Sequence, residues 1–118
     1  MTFEANWSII AHMSEDQPQR VRIWTLERAR ETVSLQIQIL PELLAELMRL
    51  SGRRPGLINP ILDKVADGVS FEPYSAVTPD TFRRHAGAPE DPAQMETWRK
   101  TLYDEYQTRH NPQHIVRP

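Results

Sequence analysis

The chain has no cysteine in its 118 residues. Disulfides and thiolate metal sites are excluded, and a reducing, cytoplasmic compartment is expected. No apolar run approaches the roughly 20 residues that a membrane helix needs, so no membrane span is expected. The opening residues "MTFEANWSII" have no basic stretch before the apolar ones, and no signal peptide is expected. An excess of one charge is also missing: Lys+Arg number 14 and Asp+Glu 16, for a net charge of −2. Domains that coat nucleic acid without regard to sequence are usually basic. Catalytic signatures are lacking: there is no P-loop, no G-x-S-x-G, no H-E-x-x-H and no cysteine nucleophile. Neither an enzyme nor a cofactor is expected. Tyr103, Asp104, Glu105 and Tyr106 are neighbours in sequence, but neighbours on a helix point apart. His12, His85, His110 and His114 show no metal-ligand spacing, because Asn111-Pro112 breaks the helix that would align the last two. No metal site is expected.

Proline is abundant, with ten in the chain. Pro41, Pro60, Pro79 and Pro92 each follow a possible loop end and lead into a helical pattern. Proline suits a first helical turn, where its missing N–H has no partner to lose. Asn59, Thr78 and Asp91 are suitable N-caps beside it, and Asp91 with Gln94 has capping-box spacing.

The pattern predicts an α+β fold. Strands are expected at 7–13, 20–26 and 32–39, a small antiparallel sheet within the first 40 residues. In the third, Val33, Leu35, Ile37 and Ile39 alternate with Ser34, Gln36 and Gln38, the period of a strand. About four helices follow. Leu40, Leu43, Leu44, Leu47 and Leu50 give the first stripe, stopped by Gly52. Ile58, Ile61, Leu62, Val65 and Val69 give the second, ending at Gly68. "PDTFRRHAG" is a short helix closed by Gly87, and 92–110 the longest, with Met95, Trp98, Leu102 and Tyr106 as its stripe. One domain is expected over 1–118: a hairpin extension (1–32), a strand-helix-helix core (33–69) and a helical C-terminal segment (70–118).

The stretch "VSLQIQILPELLAELMRLSGRRPGLINPILDKVADG" resembles the ribbon-helix-helix family of DNA-binding regulators, the group of MetJ, Arc and CopG. The matching features are the alternating strand, the Leu40-Pro41-Glu42 helix start, the leucine-rich helix, the Gly52-Arg53 turn and the Ile58 helix. The resemblance implies a homodimeric, DNA-binding transcription regulator. Two copies would pair their strands into a ribbon that enters the major groove. Ser34, Gln36 and Gln38 would then face base edges, and glutamine can bond adenine with both donor and acceptor. Arg53, Arg54, Gly56, Leu57 and Ile58 would hold phosphate at a helix N-terminus. Val33, Leu35, Ile37 and Ile39 would meet across the dimer.

A second reading stays open. If strand 32–39 pairs with 20–26 of the same chain, the glutamine face is solvent-facing. Arg53 and Arg54 then complement the C-terminus of the first helix. The protein is in that case a protein–protein interaction module without nucleic acid: an inhibitor, immunity protein, adaptor or chaperone. Trp7, Trp24 and Trp98 are core candidates, and Trp98 is a candidate interface anchor, since tryptophan is enriched at interfaces.

Overall fold

The structure, a computed structural model, describes residues 20–110. Within them the chain forms five α-helices and no strand. They are α1 (Leu26–Ile39), α2 (Pro41–Ser51), α3 (Ile58–Phe71), α4 (Pro79–Ala86) and α5 (Met95–His110). Short 3-10 turns at Pro55–Leu57 and Pro92–Gln94 lead into α3 and α5. The α+β expectation is therefore overturned: no sheet exists among the described residues, and the ribbon-helix-helix architecture goes with it. Expected strand 7–13 lies outside the described residues.

The error has a definite cause. Residues 32–39 were expected to form a strand but lie inside α1. Val33 and Ile37 are four apart, so they share a helix face as readily as a strand face. Ala29 extends the series one turn earlier, and these three are the buried residues of α1. Leu35 and Ile39 lie on the opposite side and are 54% and 71% exposed. The preceding residues tip the choice. Thr25 is extended, and its side chain accepts from the Arg28 N–H at 3.1 Å, an N-cap. Leu26 to Glu31 are then all good helix formers. Residues 20–25, the body of the second expected strand, are irregular; the Ile23 and Trp24 N–H groups donate to the Ser70 carbonyl at 2.8 and 3.1 Å. That tie fixes the entry to α1 against the end of α3.

The prolines do mark helix starts. Pro41 and Pro79 open α2 and α4. Pro60 falls in the first turn of α3, where its missing N–H costs nothing. Thr78 caps α4 in a reciprocal box with Thr81. Asp91 caps the turn before α5 through the Ala93 N–H at 3.0 Å, rather than through Gln94. Asn59 is no cap: it lies inside α3. Gly52 and Gly87 stop α2 and α4 with φ of 64° and 75°, the left-handed conformation glycine adopts without strain.

The core is built around α3. Ile61, Leu62, Val65, Ala66 and Val69 are buried, and α3 touches every other helix. α1 covers it with Ala29, Val33 and Ile37, α2 with Leu43, Leu47 and Leu50, and α4 with Phe82 and Ala86. The approach of α4 is close. A Cβ on Gly68 would lie 2.2 Å from Nδ1 and 2.7 Å from Cγ of His85, so only glycine fits there. Burial against α3 holds the His85 imidazole below its ordinary pKa; Arg84 and Arg20 push the same way, and Glu72 opposes them.

Two outcomes are expected. Val33→Ala lowers stability by about 1.5–3 kcal/mol through lost burial, while Leu35→Ala stays within about 0.5 kcal/mol, read by urea denaturation. Similar costs would contradict the helical assignment, since a strand places both on one face. The second concerns pH. His85 has a lower pKa folded than unfolded, so the unfolded chain binds its proton more tightly. Its stabilising share is full above its ordinary value of 6.5. It falls as pH drops below that value, until the folded form also protonates. The urea midpoint should therefore fall between about pH 7.5 and 5.5, and the fall should be smaller in His85→Gln. An identical pH profile for the variant would remove this account.

Candidate interaction face

Exposed apolar residues fall on the outer side of the α1–α2 corner and, separately, at Val21, Ile23 and Leu26 leading into α1. Leu35, Ile39 and Leu44 are all large, apolar and exposed, and they follow one another around the corner at Leu40. An α-helix with apolar residues on both sides is normally covered on both. α2 shows this most clearly. Leu43, Leu47 and Leu50 enter the core. Pro41, Leu44, Ala45 and Met48 line a shallow depression on the outside, which ends at Arg49 and Arg53.

The corner is held rigidly. Leu40 is extended, with φ −107° and ψ 103°, as the residue before a proline should be. Its N–H still donates to the Gln36 carbonyl at 2.8 Å, and its carbonyl accepts from the Leu43 N–H at 3.0 Å. The other end of α2 is clamped from α5. Arg99 donates from Nε to the Leu50 carbonyl at 2.8 Å and from Nη2 to the Arg49 carbonyl at 3.0 Å. Its Nη1 donates to Glu96 at 2.9 Å. Arg99 thus donates to two of the carbonyls that a helix C-terminus leaves without intrahelical donors and places a cation at the negative end of the dipole.

Charge on the outer face is simple. Arg49 donates to Glu46 from Nε at 3.2 Å and Nη2 at 2.5 Å, and this bonding raises its pKa above the ordinary value. Glu42 and the Arg53 side chain form no ion pair among the described residues. Arg53 adopts φ 60°, the one non-glycine residue described with positive φ; its N–H bonds to Ser51 Oγ and the Met48 carbonyl.

Two other polar clusters have structural explanations. In a cleft between α1, α3 and α5, Arg30 bonds to Asp63 and, at 2.8 Å, to Asn59 Oδ1. His110 Nε2 lies 3.9 Å from Asp63, and its ring packs on Tyr106 at 4.2 Å. Asp63 is engaged by Arg30, which ties α1 to α3 across the cleft. Near the start of α1, Arg20 and Arg22 lie over Phe71 at 4.0 and 4.6 Å, and Arg28 over Trp24 at 4.2 Å. Arg22 also bonds to Asp67 and Ser70. These cations brace the 20–25 segment against α3. No group of three potential metal ligands occurs among the described residues, and none of their helices is long and apolar enough to cross a membrane.

The residues expected to read DNA are not brought together. Ser34 and Gln38 are one turn apart on α1, and Gln36 turns away from them. Gln36 is half-buried, with Oε1 unpaired. Of the expected phosphate set, Arg54 pairs with Glu96 on α5 and Leu57 is buried in the core. Gly56 lies beside the Tyr103 ring, Ile58 is half-buried, and Arg53 is exposed. Of the expected dimer residues, Val33 and Ile37 belong to the chain's own core, and Trp98 packs on it. Leu35 and Ile39 alone remain on the surface. Sequence reasoning missed Leu44, Ala45 and Met48 as a surface. The available signal was a helix with leucine on too many sides: only Glu42, Glu46, Arg49 and Ser51 are polar in α2.

Comparison with known proteins finds no family model, no curated protein and no solved structure that matches the chain.

The Arg99 clamp yields a test. Arg99→Gln should lower stability by about 1.5–3 kcal/mol, the range for hydrogen bonds to a charged group. Hydrogen exchange should speed up at the Gly52 and Arg53 amides, which close the end of α2. Unchanged exchange there would show that the clamp does not hold that end.

Proposed function

We propose that the protein is a non-enzymatic protein–protein interaction module that docks through the outer face of the α1–α2 corner. One observation carries the reading: Leu35, Ile39 and Leu44 are exposed together around a single rigid corner. Exposed apolar surface at one place on a soluble domain marks a docking site more often than scattered apolar residues do. The form of the face favours a partner that offers an apolar helix side, the helix-against-helix mode of recognition. Inhibitor, adaptor, immunity and chaperone roles all use such a face. The reading as a ribbon-type DNA regulator is not carried forward, because the segment meant to form the ribbon is α1.

Site-specific photocross-linking in the source cell tests the proposal. A photoreactive residue replaces Ile39 or Leu44 on the face, or Glu105, an exposed position on α5. Adducts are expected from the first two positions and not from the third. Introducing Leu35→Asp should weaken them while leaving the unfolding free energy from urea denaturation within about 0.5 kcal/mol of the parent, as for other surface changes. Adducts no stronger at Ile39 and Leu44 than at Glu105 would overturn the reading.

A further inference from the structure

The outer face of α2 carries Glu42 near its start and Arg49, which also bonds to Glu46 in its own helix, near its end. At about 100° per residue, Pro41, Leu44, Ala45 and Met48 fall on the outer side. Glu42 and Arg49 fall on the same flank, about two turns apart. Consider two copies of α2 packed antiparallel, with a two-fold axis near Ala45. A two-fold axis perpendicular to the helices brings like flanks together. Glu42, before the axis, then meets Arg49 of the second copy, after it, and symmetry makes the contact twice. A parallel pair, related by an axis along the helices, would place the two Glu42–Arg49 flanks on opposite sides and make no such contact. The helix dipoles agree with the antiparallel choice, because each positive N-terminus lies beside a negative C-terminus. Ala45, at the crossing, is the smallest side chain of the face and lets the backbones approach. Glu42 has no partner within its own chain among the described residues, and neither does the Arg53 guanidinium just beyond Arg49.

From this we propose that the occupant of the face is a second copy of the chain, packed α2 against α2 in an isologous, antiparallel dimer. The proposal rests on the interaction reading above and names its partner. A C2 interface uses the same patch on both subunits, as this one does. One helix face offers less than the roughly 800 Å² per partner of a standard interface, so the dimer is weak, with a dissociation constant of micromolar order.

The full chain, which lacks cysteine, allows a clean test. Ala45→Cys supplies a single thiol near the axis. On mild oxidation at about 100 μM, well above micromolar dissociation, it should form a covalent dimer much faster than Glu105→Cys. Sedimentation equilibrium provides the second readout. Glu42→Arg alone and Arg49→Glu alone should each weaken association by about tenfold or more, as like charges replace opposite ones. The double variant should return to within about threefold of the parent, because the swapped pairs are complementary again. Circular dichroism checks that each variant is folded. Equal disulfide rates at the two positions, or a parent chain that stays monomeric at about 500 μM, would overturn the proposal. So would a double variant weaker than both single ones. The cross-linking experiment separates the two levels. Adducts from Leu44 at twice the chain mass support the dimer. Adducts of another mass keep the interaction reading and remove the second copy. No adducts remove both.

Discussion

Everything in this fold depends on covering α3. Its apolar residues point in nearly every direction, and Pro60, Ile61, Leu62, Val65, Ala66, Val69 and Ser70 are all buried. A helix of that kind is unstable alone in water, because most helix stability in proteins comes from packing a face. α1, α2 and α4 supply the cover, and α5 closes the end through Leu102, Met95 and the Arg99 clamp. The tolerances are tight where backbones approach, as the His85 ring over Gly68 shows. A helix so enclosed also constrains its neighbours. α1 and α2 must turn Val33, Ile37, Leu43 and Leu47 inward, so their remaining apolar residues have no choice but to face out.

That division explains which parts of the fold could be read from sequence. The ends of α2 and α4 and the start of α5 were legible because proline, hydroxyl caps and glycine act locally; Pro41, Thr78, Gly52 and Gly87 need no tertiary context, whereas α3 runs past its expected stop at Gly68 to Phe71 and encloses Asn59, its expected cap. α1 was not legible by periodicity. Positions 33, 35, 37 and 39 satisfy a strand over their length, and positions 29, 33 and 37 satisfy a helix. Short segments cannot separate the two periods. The deciding features lay upstream, in the Thr25 cap and the helix formers after it. The interaction face was less legible still. Leu43 and Leu44 are the same residue type at adjacent positions, yet one is fully buried and the other 47% exposed. Only the direction from which α3 approaches distinguishes them.

The elements that stabilise the fold also present the candidate face. Arg99 fixes the C-terminal end of α2 from behind, and Leu40 fixes its N-terminal end. A binding surface held at both ends loses little entropy on association, which is how preorganised faces gain affinity from modest area. The polar clusters elsewhere have the opposite character. Arg30 on α1 bonds to both Asp63 and Asn59 on α3, and Arg22 bonds to Asp67 and Ser70. They hold helices together and leave few free groups for a ligand.

The Leu40–Pro41 corner carries a consequence for how copies of the chain can exchange parts. Backbone hydrogen bonding runs almost without interruption from α1 into α2, because the Leu40 N–H donates to the Gln36 carbonyl and the Leu40 carbonyl accepts from the Leu43 and Leu44 N–H groups. What separates the helices is one pyrrolidine ring, which has no N–H to offer and keeps Leu40 out of the helical region. Without that ring the two helices could straighten into one rod. α1 would then leave its own α3 and settle on the α3 of a neighbour, the open-ended exchange known as domain swapping. Pro41 therefore keeps α1 and α2 as two separate helices, both packed on the same α3.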